Sequence, residues 1–224
     1  MSGGGAVAGR FITFEGIEGS GKSTQIARLA ERLRRGKIDV VETREPGGTE
    51  LGRALRPLLL RPTAEPMGPA AELLLYVADR AQHLEKVVEP ALKRGELVLC
   101  DRYVDTTLAY QGRGRGLDIE WIRALHARAP LDRVPDRTVL LDLDPTLALD
   151  RARRRDLDRG RTESEGRFEQ ERIEFHLRVR EGYLALASAA PDRIRVIDAE
   201  GPAEEIEQRV VDALADLLPV REST

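Results

Sequence analysis

The chain has 224 residues, enough for one well-packed domain and too few for two full enzyme domains. Its 36 Lys and Arg residues stand against 39 Asp and Glu, a formal net charge of −3. That excludes an overall basic field for holding nucleic acid or an anionic membrane, so any anionic ligand is expected to be bound locally.

Residues 1–9 are Gly-rich and lack the charged start and apolar core of a secretory signal. They read as a loose tail, and the expected location is the cytoplasm. Arg10 to Glu15 reads as a short apolar strand, joined by a Gly-rich turn to a helix from about Gly21 to Arg35 that Gly36 can end. Asp39 to Thr43 reads as a second strand. The turn Glu45-Pro46-Gly47-Gly48 follows, and Thr49 is placed to cap a helix carrying Arg53 and Arg56. The apolar stretch Ala70 to Val77 is far shorter than the roughly 20 residues needed to span a bilayer, and it belongs to one long helix expected from about Pro69 to Arg94.

Leu97 to Cys100 is an unbroken apolar run of the kind that forms strands covered on both faces. Cys100 is the only cysteine, which excludes a disulfide within one chain and suggests a small core residue. A helix follows over Asp118 to Ala129. Then come a strand over Thr138 to Leu143, a helix over Thr146 to Arg155, a longer helix over Glu169 to Ala190, a strand over Ile194 to Ile197 and a last helix over Pro202 to Leu217. Between two of these helices, 156–167 is charged and without apolar periodicity, and reads as a solvent-facing flap. His83, His126 and His176 are scattered and form no metal-ligand spacing. Five strands alternating with helices imply an α/β fold, a parallel sheet between helical layers with ligands at the C-terminal strand ends.

Gly16-Ile17-Glu18-Gly19-Ser20-Gly21-Lys22-Ser23 matches a phosphate-binding loop directly after a strand and directly before a helix. Its glycines let backbone N–H groups turn inward around phosphate oxygens, Lys22 adds charge, and the Ser23 hydroxyl can ligate Mg²⁺. ATP or GTP is therefore expected here. Asp101-Arg102-Tyr103 places an acid and a guanidinium at a strand end beside those phosphates. Asp101 is a candidate for holding Mg²⁺ through water, and Arg102 for binding a second phosphate, which an enzyme joining two anions requires. Leu140 to Asp142 and Asp144 form another strand ending in acids, so spacing alone leaves the metal-side carboxylate open. No Asn-Lys-x-Asp guanine signature occurs, and a kinase is favoured over a GTPase.

Four ordered motifs resemble those of the bacterial thymidylate kinases. They are Phe14 to Ser23, Thr43-Arg44-Glu45-Pro46-Gly47-Gly48-Thr49, Ala78-Asp79-Arg80-Ala81-Gln82-His83, and Asp101-Arg102-Tyr103 continuing through Thr106 to Gly112. The resemblance covers Phe11 to about Leu218. It implies a three-layer P-loop fold with strand order 2-3-1-4-5 and Mg²⁺-dependent transfer from ATP to dTMP, in a cytoplasmic homodimer. It further implies a single kinase domain over 10–218, with a lid at about 156–167 and a short tail over 219–224. Gly16 through Thr24 would surround the nucleotide, with Glu18 also near the sugar hydroxyl and the acceptor. Arg56 and Arg102 would hold the monophosphate, and Tyr76 would stack on thymine. Arg80, Thr107 and Gln111 would read its O4 and N3 edge, while Tyr110 would crowd the 2′ position.

In one branch of the family the phosphate loop carries an arginine. The stretch 15–19 has none here, so the lid is expected to supply it. Arg153, Arg154, Arg155, Arg159 and Arg161 are the candidates, Arg155 and Arg161 foremost, and sequence does not choose among them. Two departures stand out. Gly166 precedes Arg167, Phe168 and Glu169 where relatives often have Asp or Asn, and Thr107 stands where Ser is common. The competing readings are a kinase for UMP, CMP or a deoxynucleoside, and a non-catalytic ATP-binding regulator.

Overall fold

A computed structural model describes residues 9–128, 130–158 and 166–218. Strands β1 (Arg10–Glu15), β2 (Val40–Arg44), β3 (Leu97–Asp101), β4 (Arg137–Asp142) and β5 (Ile194–Asp198) form one parallel sheet in the order β2-β3-β1-β4-β5. β1 is central, with Phe14 in register with Asp101 on one side and Val139 on the other. The first strand thus delivers its phosphate loop to the middle of the C-terminal edge of the sheet.

Period-two alternation divides the core between the two faces. Ile12, Phe14, Leu97 and Leu99 pack into one buried cluster together with Ile26, Leu29 and Leu33 of α1 (Lys22–Arg35). Phe11, Val98 and Cys100 pack into another with Leu84, Val88 and Ala91. Leu97 to Cys100 of β3 are thus buried on both faces of the sheet, which is why that run shows no polar alternation.

The remaining helices are α2 (Glu50–Leu60), α3 (Pro69–His83), α4 (Glu89–Lys93), α5 (Val104–Thr107), α6 (Ile119–His126), α7 (Pro145–Asp158), α8 (Ile173–Ala189) and α9 (Ala203–Ala213). Thr49 caps α2 as expected, its Oγ1 accepting from the Gly52 N–H at 3.0 Å. The single helix expected from 69 to 94 is instead α3 and α4 joined by a π-helical turn, Leu84–Val88. Pro90 accounts for the interruption, because it has no N–H to donate and its ring crowds the preceding turn.

A second π-helical stretch, Leu108–Gly114, continues α5, and this helical run was not anticipated. Thr106, Thr107, Tyr110 and Gln111 are all buried along it, so polar residues occupy core positions and apolar periodicity is absent. Cys100 is a fully buried thiol, in keeping with a small core residue. No helix among the described residues is long and apolar enough to cross a membrane.

Candidate active site

After Glu15 the chain turns into α1 through Gly16, Gly19 and Gly21, which take φ values of 135°, 77° and 96°. Such angles are costly for residues with a Cβ. Lys22 folds its ammonium over this loop, donating to the carbonyls of Gly16 (2.9 Å) and Ile17 (2.8 Å). Burial and the nearby Arg102 charge push its pKa down to about 8.

Ser23 Oγ donates to Asp101 Oδ2 at 2.8 Å, while Asp101 Oδ1 is buried without a hydrogen-bond partner. A hydroxyl and an under-used carboxylate are hard oxygen donors of the kind Mg²⁺ takes. The other strand-end acids are engaged elsewhere. Arg180 clamps Asp142 with bonds of 2.7 and 2.8 Å, and Asp144 caps α7 by accepting from the Thr146 N–H.

Arg102 follows Asp101 and has a φ of 72°. Its NH2 donates to Glu18 Oε1 at 2.8 Å, and the Tyr110 hydroxyl donates to Glu18 Oε2 at 2.6 Å. Burial opposes ionisation of Glu18, but Arg102, Lys22 and the Tyr110 hydrogen bond outweigh it and hold the carboxyl below the usual range. Behind this layer Glu15 is fully buried, and burial with the neighbouring Asp105 pushes its pKa up to about 7.

A cleft of about 500 Å³ joins these groups. Glu18, Gly19, Ser20, Gly21, Lys22, Ser23, Thr24, Asp101 and Arg102 line its phosphate end. Arg56, Tyr76, Tyr110 and Gln111 line the other. Tyr110 is wedged edge-on against Phe168, Phe175 and Tyr183, so it is both a wall of the cleft and a core residue. Gln111 Nε2 donates to the buried Glu72 at 2.7 Å, and Gln111 Oε1 has no hydrogen-bond partner.

Gly16 and Ile17 lie in the loop without lining the cleft, and Arg80 and Thr107 sit one layer behind its wall. Arg80 is 1% exposed, not a solvated surface cation. It donates to Glu45 Oε2 at 2.7 Å and to Thr107 Oγ1 at 3.0 Å, and its NH1 meets His126 Nε2 at 2.7 Å.

The thymidylate kinase family model matches residues 14–210. A thymidylate kinase of Solidesulfovibrio magneticus is 52% identical over 208 residues, covering 93% of this chain and 100% of that protein. One from a Synechococcus species is 51% identical, covering 94% and 96%. The crystal structure of thymidylate kinase from Ehrlichia chaffeensis aligns with a TM-score of 0.74 at 35% identity, over 92% of this chain and 99% of that one. The chain belongs to the thymidylate kinase family.

Several groups in this thymidylate kinase cleft escape a reading of the sequence. Arg151 lines it one helical turn before Arg155, and the i, i+4 spacing on α7 was the available signal. Arg155 donates to Glu169 at 3.2 Å, whereas Arg153 is exposed and near Asp150. Arg159 and Arg161 lie outside the described residues. Gly201, Ala203 and Ile206, around the start of α9, complete the wall on the loop side and carry no chemical signature at all. Phe168 and Glu169, which follow the departure at Gly166, also line the cleft.

Proposed function

We propose that this chain transfers the γ-phosphate of ATP to dTMP, giving dTDP and ADP, as a homodimer of single P-loop kinase domains using Mg²⁺. The observation that carries the reading is the continuity of one cleft from the Lys22 and Ser23 phosphate loop, past Arg102, to the Tyr76 and Gln111 wall. Family membership supplies the substrate class, and the side chains supply the roles. An oxygen of the dTMP phosphate attacks the γ-phosphorus, and the bond from that phosphorus to the bridging oxygen of ADP breaks.

Ser23 and Asp101 would hold Mg²⁺, which supplies charge neutralisation at the phosphates. Lys22 exchanges the loop carbonyls for β- and γ-phosphate oxygens. Arg102 and Arg56 hold the acceptor phosphate, which offsets repulsion between two anions. Glu18 orients the sugar beside them. Arg151 and Arg155 approach the phosphates from α7, in line with a lid that supplies the arginine missing from the loop, a contribution of ~10³-fold or more in rate.

At the other end Tyr76 offers a face for the thymine ring. Gln111 Oε1 is an acceptor for thymine N3–H, and Arg80, which rests against Thr107 and His126 one layer behind the wall, would have to turn a guanidinium N–H from them toward O4 as the ligand binds. Cytosine inverts that edge, with an amino group at position 4 and an unprotonated N3. Each mismatch costs roughly 1–3 kcal/mol. ADP release measured with ATP and Mg²⁺ across dTMP, dUMP, dCMP, UMP, CMP and thymidine should rank dTMP first, dUMP second and dCMP at least a hundredfold lower. Equal turnover of dCMP and dTMP would remove the thymine-edge assignment, and no turnover with any acceptor would remove the kinase.

A further inference from the structure

We propose that Glu15 is a positioning residue that sets the geometry of Arg102 and so controls how tightly the phosphate of the acceptor nucleotide is held. This rests on the reading of Arg102 as a phosphate-holding residue. Glu15 is the last residue of β1 and does not line the cleft, so it cannot act on a ligand directly.

Three donors converge on its carboxylate, and all of them surround Arg102. The Tyr103 N–H donates to Oε1 at 2.8 Å. The Thr106 hydroxyl and the Tyr183 hydroxyl donate to Oε2, the latter at 3.1 Å. Those two hydroxyl oxygens lie 2.7 Å from each other, and Arg102 NH1 donates to them at 3.3 and 3.4 Å. The carboxylate therefore fixes the platform on which the guanidinium rests.

Glu15 also clamps the backbone. At φ 72° Arg102 occupies the left-handed region, which disfavours any residue with a Cβ. Its own N–H donates to Phe14 O at 3.0 Å, and the next N–H, on Tyr103, donates to Glu15. Consecutive residues at the end of β1 thus bind consecutive amides across the strained turn. The ionised carboxylate, the form that prevails above about pH 7, suits this place because it only accepts, whereas an amide in the same shape must turn an NH₂ toward one of the donors. The other charges nearby are committed elsewhere. Asp105 is held by Arg193 at 2.7 and 2.9 Å, Lys22 by the loop carbonyls and Arg80 by Glu45.

The test is calorimetric binding of dTMP and of thymidine, which lacks the phosphate, to the full chain. It compares the unmodified protein, Glu15→Gln, Arg102→Ala and the double variant. Glu15→Gln should weaken dTMP about tenfold, one lost hydrogen bond's worth, and thymidine less than about twofold. In the Arg102→Ala background Glu15→Gln should cause no further loss for dTMP. Equal weakening of both ligands, no weakening of dTMP, or full additivity with Arg102→Ala would each overturn the proposal. If Arg102→Ala leaves the preference for dTMP over thymidine unchanged, the underlying reading of Arg102 fails, and the proposal falls with it. Should Glu15→Gln not fold, Tyr183→Phe removes one shared hydroxyl while keeping the ring. It should weaken dTMP selectively by about threefold, and an unchanged dTMP-to-thymidine ratio would overturn the proposal.

Discussion

The hydrogen bond between Arg80 and His126 fixes the charge on the imidazole. His126 Nδ1 lies 2.8 Å from Ile122 O and must donate to it, which leaves Nε2 as the acceptor facing Arg80. Burial, and then the Arg80 charge, push the His126 pKa down to about 4. With the folded value below the usual 6.5, the unfolded chain binds more protons between the two. Stability from this group is complete above about pH 6.5 and is lost as pH falls through 4. His126→Gln, whose carbonyl can still accept from Arg80, should flatten the decline of Tm between pH 6.5 and 4 relative to the unmodified chain. An unchanged slope would assign the acid sensitivity to other groups. For Tyr110, truncation to Ala is a poor probe, since removing a buried aromatic costs about 3–5 kcal/mol. Tyr110→Phe keeps the ring against Phe168 and releases Glu18 together with the longer 3.4 Å bond from Arg102. The preference for dTMP over its ribose counterpart should persist while kcat falls roughly tenfold, which paired kcat and KM measurements would show. Lys22 and Ser23 were legible because a phosphate loop needs its parts consecutive in sequence. The cluster around Arg80 was not, because its partners Glu45 and His126 lie 35 and 46 residues away and histidines carry no register of their own.

At the scale of elements, the phosphate loop is positioned by its packing against α7 as much as by β1. A Cβ on Gly19 would stand 1.8 Å from the Ala148 carbonyl, whereas one on Gly21 would meet nothing within 4 Å. Both positions have positive φ, so an Ala at either carries a similar backbone cost of about 1–2 kcal/mol. Only at Gly19 must the helix also move. Gly19→Ala should therefore lower both Tm and ATP affinity well beyond Gly21→Ala, by tenfold or more in affinity. Similar losses for the two variants, by thermal denaturation and nucleotide titration, would show that conformational freedom alone sets the requirement. Strands and amphipathic helices such as α1 were readable because each puts apolar residues on one periodic face. The run from Val104 to Gly114 was not, since the buried face there is polar for the sake of the cleft. The helix read over 69–94 passed over Pro90, which could have signalled a break, but its conversion into a π turn rather than a helix end depends on contacts with the sheet.

For the whole molecule, alternation of strands and helices made a parallel sheet legible, while the order β2-β3-β1-β4-β5 followed from the family resemblance and not from periodicity. That order leaves β2 and β5 as the edges, each with one strand neighbour, and Arg34 and Arg209 already take up the Val40 and Asp198 carbonyls there. Glu42 and Arg44 on β2, and Arg195 and Asp198 on β5, place charges along both edges. A second strand docking there would have to strip water from these charges or oppose like with like, and Glu42 is further anchored to Arg34 at 2.6 Å. The edges thus carry their own protection against open-ended association, so the chain can keep a wide sheet without nucleating fibres. Replacing Glu42 and Arg195 together by Val should raise concentration-dependent light scattering on mild heating while leaving dTMP turnover of the soluble fraction intact. Unchanged scattering would mean that the neighbouring helices, not the edge charges, keep these strands apart.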